Sequence, residues 1–386
     1  MLDATSNRLA WLRLARCPTI GPVAFRKLLQ KYGTAEKALL ALPDLVKSKN
    51  IPIPTLATVE KEWEETKKLG GKLLWRCDDN YPRLLAAIDD APPILAVLGH
   101  DQLLHRDSFA IVGARAASLS GEKLARRFAE VMAQKDFVLV SGMAKGIDAE
   151  VHWASIKTGT VAVLAGGVDY IYPRENTELY GQLKSSGCIV SESPLGAAPL
   201  AKNFPKRNRI ISGLSLGLLV IEAALRSGTL ITARYALDQG RELFAVPGSP
   251  LDQRMRGCNQ LIKNGAHITE TPDDILPLLE TSSLRLKGAG EKDSFSFDQH
   301  DEAETNSNFL DSDIARAKRL LRKTLTTAPT SLDDMLAAWG DDDLPRGLIY
   351  QALLEMELAG EVEHIQGNNY ALNISMDQDG KIKNLF

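Results

Sequence analysis

Phe109-Ala110-Ile111-Val112-Gly113-Ala114-Arg115, a helix-length segment from Leu119 to Ala133, and Phe137-Val138-Leu139-Val140-Ser141-Gly142 decide the fold. Two short apolar runs leave through glycines and flank a segment long enough for a helix. A half-buried strand would alternate polar and apolar residues. An unbroken apolar run needs cover on both faces, which is the situation of a parallel sheet between helical layers. The alternation continues outward. Further strands read at Thr160–Leu164, Ile189–Ser191, Leu218–Ile221, Leu243–Val246 and His267–Thr269. Between them, helices read at about Ile147–Thr158, Asn176–Lys184, Lys206–Ser212, Leu230–Gln239 and Asn259–Asn264. The pattern predicts an α/β fold: a doubly wound, mainly parallel sheet of Rossmann type, with ligands expected beyond the carboxyl ends of its strands.

A chain of 386 residues is too long for one ordinary core, so the flanks should hold further domains. Before the sheet, Asn7–Ala15 and Val23–Tyr32 read as helices around Ile20-Gly21-Pro22, which looks like a helix-hairpin-helix. In such a turn the glycine frees the backbone and the next helix N-terminus suits a phosphate. A hairpin packed only on itself fits the same residues. Thr34–Leu42 and Thr55–Leu69 complete a helical domain, and Gly70–Gly99 reads as a connector leading to an edge strand at Ile94–Leu98. After the sheet, Glu291 to Asp313 holds eight acids against one lysine and no apolar period, the composition of a flexible linker. From Ile314 three helices read, to about Thr326, over Ser331–Trp339 and over Leu344–Ala359. Two strands around Gln366-Gly367-Asn368-Asn369 follow, giving a winged helix. Its third helix sets Arg346 against Glu355 and Glu357, which argues against reading a DNA groove, because groove readers need phosphate-binding cations. The division expected is 1–75 helical, 76–282 sheet domain, 283–312 acidic linker, 313–375 winged helix and 376–386 tail.

The net charge of -3 hides a basic middle: Lys202 to Lys263 carries ten Lys/Arg against four Asp/Glu. Cys17, Cys77, Cys188 and Cys258 are scattered, without CxxC or histidines at ligand spacing. That argues against structural zinc or a disulfide framework and for a reducing compartment. With no basic-then-apolar leader and no long apolar run, the expectation is a cytoplasmic protein off the membrane.

The basic middle opens with Lys202-Asn203-Phe204-Pro205-Lys206-Arg207-Asn208-Arg209-Ile210-Ile211-Ser212-Gly213, four cations in eight residues running into an apolar helical segment. Pro205 suits a helix start, where a missing N–H costs nothing. Cations at the mouth of the fold suit an anionic ligand, a phosphate chain. A merely solubilising turn would need neither the Phe-Pro pair nor the Ile-Ile. Arg115 and Ser118 stand at another helix start, and Ser227-Gly228-Thr229 at a third, each able to add guanidinium or hydroxyl groups to free backbone N–H donors. The turn after the first strand is not GxGxxG, and no acidic residue closes the second strand, so a dinucleotide cofactor is disfavoured. GxxxxGK[ST] is absent too. Asp148 and His152, one helical turn apart, suit a local hydrogen bond better than an acid–base pair. Asp169 suits a turn cap, and Glu222 suits orienting an arginine better than catalysis.

Together Gly113-Ala114-Arg115 with Ser118, Ser141 to Asp148, Phe204 to Gly213, Ser227 to Thr232 and Ala245-Val246-Pro247-Gly248 closely resemble the DprA/Smf family. These are the DNA-processing proteins of natural transformation, and the resemblance is strongest over residues 105–270. It implies a SAM-like N-terminal helical domain, an extended Rossmann domain and, in many members, a C-terminal winged helix. It further implies a non-catalytic role: binding and protecting single-stranded DNA, loading the recombinase RecA, and homodimerising through the Rossmann domain, with no metal or cofactor. Carried over by motif, Gly113, Arg115, Ser118, Lys206, Arg207, Asn208, Arg209, Ser227, Gly228 and Thr229 would line the DNA groove. Phe204 offers a stacking face, because sequence-independent single-strand binding needs phosphate clamps and aromatic platforms. Ala114 stands where the family often has a hydroxyl residue, and Leu119-Ser120-Gly121 replaces a commoner Tyr-Gly. The competing class is an enzyme resembling the nucleotide phosphoribohydrolases at fold level, although their Pro-Gly-Gly-x-Gly-Thr cradle is absent. A transcription regulator resting on the winged helix is a third reading.

Overall fold

The computed structural model describes residues 4–45, 52–279, 311–332, 334–335, 346–359, 361–365 and 369–373. The chain divides into two compact units, Met1–Leu56 with Phe297–Phe386, and Ala57–Ser296.

The larger unit is a nine-stranded sheet. In chain order its strands are β1 (Lys72–Trp75), β2 (Ile94–Gly99), β3 (Ser108–Val112), β4 (Val138–Ser141), β5 (Thr160–Val163), β6 (Cys188–Ser191), β7 (Gly217–Val220), β8 (Glu242–Ala245) and β9 (His267–Ile268). They lie in the order β1-β2-β6-β5-β4-β3-β7-β8-β9. From β6 to β9 every pairing is parallel, while β1 on β2 and β2 on β6 are antiparallel. The central runs are buried throughout, as unbroken apolar composition requires. One face is covered by α5 (Arg83–Ala86), α9 (Asn203–Gly213), α10 (Thr229–Asp238) and α11 (Arg256–Lys263), through Leu85, Ile210, Ile211, Ala233 and Cys258. The other is covered by α6 (Leu119–Gln134) and α7 (Ile147–Ser155), through Phe128, Met132, Ile147 and Val151. Helix α8 (Thr177–Ser186) connects β5 to β6. This is the doubly wound, Rossmann-type sheet expected.

The edge differs from expectation. β2 is not the outermost strand; β1 lies outside it, in a stretch read as connector. Four residues after Gly70-Gly71 carry little strand signal by themselves. Pairing with β2 and the packing of Trp75 on Trp63, ring centroids 5.2 Å apart, hold them in place. Trp63 belongs to α4 (Leu56–Lys68), so both α4 and β1 pack with the sheet, whereas the sequence division at residue 75 had grouped them with the helical domain.

The smaller unit joins the two ends of the chain. α1 (Ala4–Ala15), α2 (Pro22–Tyr32) and α3 (Ala35–Leu45) pack around Leu12, Leu14, Leu28 and Leu42, with Trp11 edge-on to Phe25. The C-terminal module contains α12 (Asp311–Thr324), β10 (Thr330–Ser331), α13 (Arg346–Leu358), β11 (Val362–Ile365) and β12 (Asn369–Leu372), its strands ordered β10-β12-β11. Most of the second helix expected in a winged helix, Ser331–Trp339, lies outside the described residues, as do the expected linker at 283–312 (all but its last two residues) and the tail.

Candidate functional site

Because β3, β4, β5 and β7 are parallel, their ends Val112, Ser141, Val163 and Val220 open on one side of the sheet. The strand order reverses between β3 and β7, the usual place for a crevice. The connection from β6 to β7 must pass β5, β4 and β3 to get there, and the basic stretch lies on it as α9.

From the second turn of α9, Arg207 donates Nη1 to the Val163 carbonyl at the end of β5, 2.7 Å away. Only 7% of the residue is exposed. It reaches that carbonyl because Gly142 follows β4: a Cβ there would stand 1.8 Å from Nη1. Asp148, on the first turn of α7, faces the guanidinium and accepts from the Gly142 and Ala144 N–H groups at 3.2 and 3.3 Å. Burial pushes the Asp148 carboxyl up, against the pull of Arg207 and the backbone donors. Burial also pushes Arg207 down to about 10, with Asp148 opposing, so the guanidinium stays charged at neutral pH. The start of α7 depends on Gly146 at φ +70, where a side chain would also meet the Ala114 carbonyl at 2.5 Å.

Arg207 lies in an open cleft whose other walls include Arg115, Phe204, Lys145, Tyr170 and Tyr172. Arg115 is exposed and sits over the Phe204 ring, Cζ 5.0 Å from the centroid; Arg207 approaches the same ring at 6.0 Å. Tyr172 meets Phe204 edge-on at 5.7 Å. Lys145, at the rim, is paired with Glu175. Cation–π contact keeps Arg115 beside an aromatic wall while leaving its donors toward solvent. Such a cleft can hold a phosphate on the guanidinium and stack a flat ring on Tyr172 or Phe204.

Of the residues expected here, the structure therefore brings together Arg115, Phe204 and Arg207. Lys206 is exposed on α9 outside the cleft walls, and Asn208 donates to the Gly228 carbonyl at 3.4 Å, tying α9 to the start of α10. Arg209 is a correction. Two residues on from Arg207 it points about 200° around the helix. It is 5% exposed, with Nη2 on Glu192 at 2.5 Å and Nε 3.5 Å from Asp90. It holds the fold through these acids and is not among the walls of the cleft. Ser118 is committed as well: its hydroxyl caps α6 by accepting from Gly121 N–H at 3.0 Å and donates to Glu222 at 2.5 Å. Glu222 thus takes Ser118, through both hydroxyl and backbone N–H, where orienting an arginine was expected. The Ser227 hydroxyl donates to Thr229, whose hydroxyl donates to the Gly113 carbonyl, so these side chains stitch the switch point rather than line the cleft. Gly228 is exposed at the α10 start, and Gly113 is needed because a Cβ there would strike Ile147 at 2.5 Å.

Asp148 and His152 do not bond each other. The Thr160 hydroxyl donates to the Leu139 carbonyl, so it accepts from His152 Nδ1–H at 2.7 Å, and His152 sits neutral in the core. Asp169 accepts from the Gly196 N–H on the connection after β6, so it ties two connections together where a cap on its own turn was expected. Sequence reasoning missed Lys145, Tyr170 and Tyr172 as cleft walls. The signal was present: two tyrosines within six residues of the Gly166-Gly167 strand exit, 40% and 43% exposed. Among the described residues no His/Cys/Asp/Glu cluster could hold a metal, and no helix is long and apolar enough to cross a membrane.

Fold and site define a Rossmann-type protein with a cation- and aromatic-walled cleft at its strand ends, in place of a dinucleotide crevice. The family model for DNA recombination-mediator protein A matches residues 72–280, and that for the DprA-like N-terminal HHH domain matches residues 5–64. Protein Smf of Synechocystis is 33% identical over 95% of this chain and 99% of its own. Protein Smf of Escherichia coli is 40% identical over 74% of each chain. The crystal structure of DNA processing protein A from Streptococcus pneumoniae superposes with a TM-score of 0.62 at 33% identity, covering 72% of this chain and 98% of that one. That of Helicobacter pylori, described with its single-stranded DNA binding mode, gives 0.51 at 26%, covering 55% and 96%. The chain belongs to the DprA/Smf family of DNA-processing proteins.

Proposed function

We propose that this protein binds single-stranded DNA without sequence choice, protects the incoming strand and delivers it to RecA. The observation that carries the binding step is the convergence of Arg115, Arg207, Phe204 and Tyr172 on one open cleft. Cations for phosphate and aromatic faces for any base, with no helix presented to a groove, are what sequence-independent binding requires. The Helicobacter relative, whose structure is described by its single-stranded DNA binding mode, supports the ligand. Family membership supports the transformation role, the RecA partnership and a homodimer through the Rossmann domain. In this reading Lys206 and Lys145 are outer phosphate contacts, the protein works in the cytoplasm, and no reaction is catalysed. An acid at a strand end first suggested hydrolysis. Glu222 is 4% exposed and occupied with Ser118, which favours a binder over a phosphoribohydrolase.

Titrating a fluorescent oligonucleotide at two salt concentrations tests the core of this. Affinity falls steeply with salt if phosphate contacts carry it, by about 0.7 in log K per log salt for each contact on a single strand. Arg115→Ala with Lys206→Ala removes exposed cations only and leaves the fold intact; binding at wild-type strength would place the site elsewhere. Phe204→Ala weakens binding by about 1–3 kcal/mol if the ring stacks a base. Light scattering with RecA and oligonucleotide reads the assembly, and absence of a ternary complex removes the delivery step.

A further inference from the structure

The first and last parts of the chain meet in one compact unit. Their meeting has a defined chemistry. Lys27 on α2 donates its ammonium to the Tyr370 hydroxyl of β12 at 3.1 Å, lies 5.3 Å from that ring's centroid and is 4.0 Å from the Glu357 carboxylate of α13. Both charged side chains are largely enclosed, 18% and 19% exposed. Burial pushes Lys27 down and Glu357 up, each opposed by the charge of the other, so each ion relies on its partner. One turn further, Lys31 faces Glu355, which also holds Lys318 of α12 at 2.6 Å. The acids that set α13 apart from a groove-reading helix are thus turned toward α2 of the same chain. Tyr370 is the largest buried residue of the C-terminal core, and Lys27 lies both over its ring and on its hydroxyl.

We propose that the C-terminal module is an internal cap on the helical domain: Glu357 and Tyr370 occupy Lys27, and an anionic DNA strand that uses α2 must first displace them. Docking of the module and strand contact by the helical domain are then mutually exclusive. The inference rests on the reading that the ligand is single-stranded DNA, but it concerns a surface apart from the cleft of Arg115 and Phe204.

The test uses the full-length protein and a fluorescent oligonucleotide. Glu357→Gln releases Lys27; affinity rises and the slope of log K against log salt steepens by about 0.7, one added single-strand contact. Glu363→Gln makes the same charge change on an exposed residue of β11 and leaves both quantities at wild type. An equal gain from Glu363→Gln, or none from Glu357→Gln, overturns the cap. Hydrogen exchange reads docking directly: α2 amides exchange faster in Glu357→Lys, and the double reversal Lys27→Glu with Glu357→Lys restores protection. Unchanged α2 exchange in Glu357→Lys also overturns it. Arg115→Ala separates this inference from the cleft. If that variant binds as wild type while Glu357→Gln still gains affinity, the cleft reading falls and the cap stands; the reverse pattern removes the cap alone.

Discussion

Replacing Gly142 by alanine perturbs the site through a single methyl group. The added Cβ would stand 1.8 Å from Arg207 Nη1, 2.6 Å from Cζ and 2.7 Å from Nη2. Ordinary contact begins near ~3.5 Å, so the guanidinium must retreat by roughly 1.7 Å. Its bond to the Val163 carbonyl, 2.7 Å long, does not survive that shift. A hydrogen bond to a charged group contributes about 1.5–3 kcal/mol, and leaving a buried ion without its partner costs about 3–5 kcal/mol. Asp148 keeps its two backbone donors, so the loss should fall near the lower figures, about 2–3 kcal/mol. Urea denaturation measures this as a lower midpoint with an unchanged slope. Oligonucleotide titration on the folded variant measures the other half: with Arg207 displaced from the cleft wall, affinity drops by about tenfold, the equivalent of one weakened charge contact of ~1.4 kcal/mol. Wild-type stability together with wild-type affinity would refute the reasoning. Lost stability with intact affinity would show that Arg207 holds the fold and does not face the ligand.

Ser118→Ala removes a helix cap and one donor to buried Glu222, so stability falls by about 1–2 kcal/mol while oligonucleotide affinity holds; weaker binding at unchanged stability would return Ser118 to the ligand set. Arg209→Ala strands Glu192 beside Asp90 and costs about 3 kcal/mol in denaturant, again with affinity retained in the folded fraction. Asp148→Asn keeps an acceptor for the Gly142 and Ala144 amides but leaves Arg207 uncompensated, so stability falls and affinity for the oligonucleotide rises; a fall in affinity would mean that Asp148 acts by positioning Arg207. His152 is held neutral to about pH 3 by burial and by Arg207, against 6.5 in the unfolded chain. The unfolded state therefore takes up the proton first, and this contribution, complete above pH 6.5, is lost on acidification at about 1.4 kcal/mol per pH unit down to the folded value. His152→Leu flattens that part of the stability profile, and an unchanged acid slope would contradict the assignment.

The sheet was legible because its evidence is local: each central strand is an apolar run that only two-sided burial explains, and β3 and β4 leave directly through Gly113 and Gly142. β1 was not legible, because a four-residue strand draws its stability from Ile94–Val97 and from Trp63, and neither partner is visible from Lys72-Leu73-Leu74-Trp75 itself. The site shows the same boundary. Charge composition located the basic helix, but Arg207 and Arg209 are equally cationic in sequence, and only the acids they meet separate them: Asp148 at the strand ends, Glu192 and Asp90 elsewhere. Ser118 at a helix start reads equally as cap or ligand until Glu222, 104 residues away, takes its hydroxyl. Tyr172 gave no signal of its own in sequence beyond its place near the Gly166-Gly167 exit; its value as a wall comes from Phe204 arriving beside it on another connection.

Burial divides the roles of the two arginines that meet at Phe204. Arg207 is fixed by a carbonyl and by the space left by Gly142, within the field of the Asp148 charge, so it gives the cleft a charge that needs no ordering when a ligand arrives. Its desolvation has already been offset within the fold, and its field acts through a poorly screened interior. Arg115 is exposed and restrained only by a ring, so it can follow a phosphate whose position varies from one strand to the next. The sequence-independent binding proposed for this cleft calls for both properties at once: a constant potential that every strand meets, and a mobile donor that adapts to each. A basic stretch alone would supply only the second, which is why the apolar Ile210-Ile211 pair that buries α9 is as much part of the site as its cations.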